Sequence, residues 1–181
     1  MSLRAEDLFT DQLRRCIGRS SGPMPMPEEI SASDVRRYAE ATGDRNPLWL
    51  DERFAREHGH HARVVPPAFV IELAWRIRGS ETDAGRAWHA DLPLPESYSD
   101  ARNAGLDIEW LRPVHVGDRL VIEHRIADIQ VREGRAGLGV YVTRESEYSR
   151  TDGEVVARVR QTIVRLSRSR RDAAGAPPEG G

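Results

Sequence analysis

At 181 residues, 39% of them hydrophobic and 31% charged, the chain has the size and composition of one soluble globular domain with its own core. A net charge of −2 gives no general attraction to nucleic acid, and the 27 basic residues, all arginine, are scattered rather than clustered. Cys16 is the only cysteine, which excludes an internal disulfide and suits a reducing cytosol.

In chain order, Met1 to Ala5 lacks an apolar signal core, so a cytoplasmic protein is expected. Ala5 to Arg15 predicts a first helix with Leu8, Leu13 and Cys16 as its apolar contacts. Gly18 to Pro27 holds Gly22 and three prolines, which predicts either a poor edge strand or an extended arm. A second helix is well marked. Ser31 with Asp34 resembles a capping box, and Val35, Tyr38, Ala39 and Thr42 recur at the spacing of a buried face. Gly43 supplies its C-terminal stop. Asp44 to Pro47 reads as a turn, and Asp51 caps a short helix through about His58. Pro66-Pro67 opens a third helix running to Arg78, apolar on most sides, as a helix wrapped by other structure would be.

After a polar, proline-containing stretch from Gly79 to Asn103, strands are expected near 104–112, 118–132, 136–149 and 154–166. Leu138, Val140 and Val142 alternate with polar or small neighbours, as do Val155, Ala157, Val159 and Ile163. Asp152-Gly153 is a two-residue hairpin signal, and Glu133-Gly134-Arg135 serves the preceding pair. Helices first and then an antiparallel meander make an α+β chain. The sheet has one face to cover, and the Pro-Pro helix is apolar enough to cover it. A long central helix wrapped by a curved antiparallel sheet is the hot-dog arrangement. No run approaches the roughly 20 apolar residues of a membrane span. From Ser167 no large apolar residue anchors the chain, so 168–181 is expected to be a disordered tail. Its Arg168, Arg170 and Arg171 either touch a phosphate or are solvated.

The chemistry is carried by Tyr38-Ala-Glu-Ala-Thr-Gly-Asp44-Arg-Asn46-Pro47-Leu-Trp49-Leu-Asp51 and by Val64-Val65-Pro66-Pro67-Ala68-Phe69. The first resembles the hydratase motif of the MaoC-like hydratase/dehydratase family, Tyr-x-x-x-Thr-Gly-Asp-x-Asn-Pro-x-His-x-Asp. Trp110-Leu-Arg112-Pro113-Val-His-Val-Gly117-Asp118 resembles the segment that starts the sheet in the same family. The resemblance spans about residues 30–166. It implies a hot-dog domain over 18–167, preceded by a helix in 1–17. It also implies activity on acyl-CoA or acyl-carrier thioesters: hydration of a 2-enoyl thioester, or dehydration of its (R)-3-hydroxy counterpart. That reaction needs a base for water, an acid for the α-carbon and an N–H donor for the thioester oxygen. In the family an Asp and a His share the acid/base work, and a backbone N–H at the start of the central helix binds the carbonyl. No separate cofactor is implied, since CoA or the carrier belongs to the substrate.

Asp44 and Asn46 match the pattern, but Trp49 stands where the histidine should be, and indole offers a donor N–H and no basic nitrogen. Pro67 falls where the resemblance places the oxyanion donor, and proline has no N–H. Two losses at one site imply that Asp44 and Asn46 are vestigial as catalytic groups. They leave Trp49, Val65, Pro66, Pro67, Ala68 and Phe69 as an acyl-binding wall. The pattern is similar to the N-terminal, histidine-lacking half of double hot-dog hydratases, whose other half keeps the full motif. The expected partner is therefore a second hot-dog subunit, in a hetero-oligomer or a homodimer, with no nucleic acid and no membrane.

Two further readings stay open: an acyl-thioester-binding protein without activity, and a hot dog redirected to thioester hydrolysis or conjugate addition. Asp44 has an equally good structural role, since acids after a helix-ending glycine bond nearby N–H groups. His58, His60 and His61 match no common zinc spacing, so no metal is expected, and His58 or His61 is a candidate displaced catalytic histidine. His115 is expected to be solvated, and Trp75, Trp88 and Trp110 to serve packing. Arg112 suits either a CoA phosphate or a strand-end salt bridge.

Overall fold

The computed structural model describes residues 4–78, 92–135 and 137–167. The tail expected over 168–181 and the side chains of Trp75 and Trp88 lie outside the described residues.

The N-terminal helix expected over Ala5 to Arg15 is instead two short ones, α1 (Ala5–Leu8) and α2 (Asp11–Arg14). Thr10 adopts extended backbone between them and its hydroxyl accepts the Leu13 N–H at 3.2 Å. A new N-cap thus ends one helix and starts the next. Leu8, Leu13 and Cys16 are buried against Ile126, Ile129 and Val140 of the sheet.

Residues 18–27 run along strand β3 (Leu120–Gly134), with β1 (Met24–Pro25) pairing Met24 to Ile122. The Gly18 and Ser21 N–H groups bond the Ile126 and His124 carbonyls at 2.8 and 2.9 Å. An edge position suits this segment, because its prolines lack the donors that an interior strand must supply.

Helix α3 (Ala32–Thr42) begins with the expected capping box: Ser31 Oγ accepts the Asp34 N–H at 3.1 Å, and Asp34 accepts the Ser31 N–H at 3.4 Å. It ends at Gly43, whose φ of 71° is the left-handed conformation of a helix stop. Val35 and Ala39 are buried. Thr42, expected on the same face, is exposed, and its hydroxyl bonds back to the Tyr38 carbonyl at 2.9 Å. The turn expected at 44–47 leads directly into an extra helical turn, α4 (Pro47–Leu50), because Asn46 Oδ1 accepts the Leu48 N–H at 3.0 Å and Pro47 suits the first helical position. Asp51 caps α5 (Glu52–Glu57), and α6 runs over Pro67–Arg78.

The remaining strands are β2 (Asp100–Trp110), β4 (Gly137–Arg150) and β5 (Val155–Leu166). Their order is β1-β3-β4-β5-β2, every pair antiparallel. The meander therefore holds for β3, β4 and β5, whereas β2 lies at the far edge beside β5. Residues 111–119 cross between the edges instead of turning back. On the way, the Leu111 and Arg112 N–H groups bond the Val156 carbonyl, and the Gly117 N–H bonds that of Ile30 at 2.9 Å. Residues 151–154 form the last hairpin loop, longer than the two residues expected, and the Arg150 N–H closes it on the Glu154 carbonyl at 2.9 Å. At the preceding hairpin Gly134 pairs with Gly137, so β3 runs two residues past its expected end and β4 starts one residue late.

One extra residue in β3, Ala127, separates the Ile126–Arg144 and Asp128–Thr143 pairs. This bulge reverses the alternation, so Ile126 and Ile129 both face the core. Phe69, Val70 and Leu73 of α6 pack with Leu120, Ile122, Tyr148, Val156, Ala157 and Val159 of the sheet. A central helix against a curved antiparallel sheet is the expected hot-dog fold. Trp110 departs from its expected packing role: it is 43% exposed at the end of the edge strand β2. Among the described residues no helix is long and apolar enough to cross a membrane.

Candidate active site

Gly43 turns the chain out of α3, and the next six residues fold back on themselves. Asp44 Oδ1 accepts the Asn46 N–H at 3.1 Å, while Asp44 Oδ2 accepts the indole N–H of Trp49 at 2.8 Å. Both carboxylate oxygens are thus engaged inside the turn, as the structural reading of Asp44 requires. Asn46 is an N-cap, its side-chain oxygen held by Leu48. The Trp49 ring is buried in the same cluster as Val65 and Phe69. An indole N–H can orient a carboxylate but can neither take nor return a proton.

The start of α6 is brought to this turn by a hydrogen bond from the Val64 N–H to the Leu48 carbonyl at 3.0 Å. Val65 is buried and donates its N–H to Val114 at 2.8 Å. Pro66 is buried and its carbonyl accepts the Phe69 N–H at 2.9 Å. Pro67 and Ala68 are exposed. With two consecutive prolines, the first N–H that α6 owns is that of Ala68. Phe69 is buried beneath the Tyr38 ring, 4.8 Å between centroids. Burial, then the carboxylates of Glu72 and Asp44, hold the Tyr38 hydroxyl above the usual tyrosine range.

Beside Pro67 lies a cavity of about 250 Å³ walled mainly by Val64, Val65, Val70, Trp110 and Pro113. Arg112 also reaches it, and its guanidinium pairs with Glu154 at 3.3 Å, in line with a strand-end salt bridge. A larger cavity of about 740 Å³ lies elsewhere on the sheet. Its arginines are tied to its own carboxylates, as in Arg125–Glu145 at 2.9 Å and Arg158–Glu147 at 3.2 Å, which makes it a laced ionic surface.

His115, expected to be solvated, is instead buried at 5% exposure, and Nε2 of its ring lies 3.2 Å from His60 Nδ1. The His61 ring lies against it, tilted by 46° with 4.0 Å between centroids. Burial first, then His61, pushes His115 down to about 4, with Asp118 opposing. Its place between Val114 and Val116, in a segment that crosses the sheet, is the sequence signal for its burial. His58 caps α5 through the Phe54 carbonyl at 2.8 Å. Among the described residues no group of three or more His, Cys, Asp or Glu is arranged to hold a metal ion.

The family described as FAS1-like, dehydratase domain region, matches residues 15–159. The chain belongs to that family. A UPF0336 protein of Thermobifida fusca is 34% identical over 143 residues, 78% of this chain and 87% of that protein. A probable enoyl-CoA hydratase alpha subunit of Thermomonospora curvata is 29% identical over 167 residues, covering 87% of this chain. The match spans 52% of that longer protein. Among solved structures, the ChsH1–ChsH2 complex from Mycobacterium tuberculosis superposes with a TM-score of 0.73 at 22% identity, covering 92% of this chain and 90% of that one. A MaoC-like dehydratase superposes with a TM-score of 0.64 at 24% identity, covering 86% of this chain and 43% of that one, a likeness of hot-dog fold.

Proposed function

We propose that the chain is the non-catalytic, acyl-chain-binding subunit of a heteromeric enoyl-CoA hydratase or (R)-3-hydroxyacyl-thioester dehydratase. The observation that carries this reading is the 2.8 Å bond from Trp49 Nε1 to Asp44, which places a donor-only group where the family motif has its base. Pro66 and Pro67 support it, because they withhold backbone donors from the start of α6. The names of two similar proteins, an alpha subunit and a two-component complex, point the same way.

In this reading a second hot-dog subunit supplies the Asp and His. Its carboxylate and imidazole activate water and protonate the α-carbon. This chain contributes an apolar wall built from Trp49, Val65, Pro66, Pro67, Ala68 and Phe69. The exposed edge β2, with Leu106 46% and Trp110 43% exposed, is the surface offered to the partner.

Hydration of crotonyl-CoA and of longer enoyl-CoA esters tests the assignment. The purified chain alone is expected to give the uncatalysed rate. Joined to a hot-dog subunit with an intact Gly-Asp-x-Asn-Pro-x-His motif, it is expected to give turnover insensitive to Asp44→Asn. Turnover by the isolated chain that disappears with Asp44→Asn overturns the proposal.

A further inference from the structure

Three imidazoles that acyl binding leaves unused meet where the chain enters α6. His115 rides on the crossing 111–119 with 5% of its surface exposed, and its Nδ1 is buried without a hydrogen-bond partner. Its Nε2 lies 3.2 Å from His60 Nδ1, and its ring sits 4.0 Å from that of His61 at 46°. The other charged groups facing it are Asp118, at the end of the crossing, and Arg150 of β4. Asp118 Oδ2 accepts the His115 backbone N–H at 2.9 Å and sits 3.0 Å from Arg150 Nε. This carboxylate is already shared by an amide and a guanidinium, so it cannot fully compensate a charge on the His115 ring.

A hydrogen bond between two imidazole nitrogens needs one N–H and one lone pair. It survives while the pair holds at most one extra proton. A second proton sets two N–H groups against each other and two cations in contact, with the tilted His61 ring beside them. The backbone on either side depends on the same contact. Val64 bridges to His115, the Val65 N–H bonds the Val114 carbonyl at 2.8 Å, and the Val116 N–H bonds that of Arg63 at 2.9 Å.

We propose that His60, His61 and His115 form a proton-operated latch. Near neutral pH it clamps residues 60–65 to the crossing 111–119, and it frees them, together with the start of α6, when the His60–His115 pair takes a second proton. Burial of His115 keeps the latch closed at neutral pH and sets its opening in the acid range.

Amide hydrogen exchange on the full chain at about pH 7.5 and about pH 4.5, corrected for intrinsic rates, tests the latch. Relative to β4 amides, protection of Val65 and Val116 is expected to fall by about tenfold or more on acidification. In His60→Gln/His61→Gln the fall is expected to be several-fold smaller, because only the burial of His115 is left to resist its charging. An unchanged ratio in the wild type, or the same fall in the variant, overturns the latch. Imidazole nitrogen shifts of the wild-type protein give a second readout that needs no variant. One bare and one protonated nitrogen facing each other at neutral pH, lost together with amide protection, is the expected result. A His115 that charges while Val65 and Val116 stay protected overturns it.

Discussion

The indole N–H of Trp49 donates to Asp44 Oδ2 across 2.8 Å, closing a loop of six residues on the carboxylate that the family motif assigns to catalysis. The bond fixes the carboxylate without giving it a proton partner. A side chain that looks like a simple loss of function is therefore a structural replacement, with its ring in the core and its polar edge on the motif.

Trp49→Phe removes the donor and leaves Asp44 with the Asn46 amide. A loss of about 1–3 kcal/mol is expected from the broken charge-assisted bond and the smaller ring, read by urea unfolding.

Trp49→His returns an imidazole to the motif, but the double proline still precedes Ala68. Crotonyl-CoA hydration by this variant alone is expected to remain near background. Trp49→His with Pro67→Gly, which restores a backbone N–H, is expected to exceed the single variant by about a hundredfold. Equal rates for the two variants would refute a role for Pro67 in silencing the site.

Arg150 knots the crossing to the sheet. Its Nε lies 3.0 Å from Asp118 Oδ2 and its Nη2 donates to the Pro113 carbonyl at 2.6 Å, with the Arg150 and Asp118 side chains 17% and 15% exposed. Arg150→Met is expected to cost about 2–4 kcal/mol because it strands a mostly buried carboxylate. Adding Asp118→Asn should cost less than the sum of the two single changes, a coupling that a double-mutant cycle measures.

His115 makes stability depend on pH. Its value in the folded chain is about 4, below the 6.5 of a free histidine, so between these limits the unfolded chain binds more protons. The contribution is complete above about pH 6.5 and is lost as pH falls toward about 4, at most about 3 kcal/mol. His115→Phe keeps a ring against His61 and sacrifices no partner at Nδ1. Its unfolding free energy should change less with acid than that of the wild type.

Trp110→Glu places a charge on the exposed edge of β2. Association with a hot-dog partner is expected to weaken by about tenfold or more, read by sedimentation, while the melting temperature of the isolated chain stays nearly constant.

Wherever a few neighbouring residues decide the backbone, the sequence by itself determined the outcome. The Ser31–Asp34 box, the Gly43 stop, the Asp51 cap and the alternation in β4 and β5 are of this kind, since caps and side-chain periodicity act within a turn or two. The motif residues Asp44, Asn46 and Trp49 were likewise legible, and so was the absence of a basic nitrogen from the Trp49 side chain. Tertiary structure alone decided that β2 joins β5, because the crossing 111–119 finds its hydrogen bonds on Ile30, Arg63, Val65 and Val156, remote in the chain. It also decided that Ala127 forms a bulge and that His115 is buried against two other imidazoles. Whether a polar residue faces water or a partner depends on which distant segment packs over it, and no local pattern carries that information. The Trp49–Asp44 bond lies between the two cases: both residues stand in one motif, but the core around Val65 and Phe69 is what holds the indole in place.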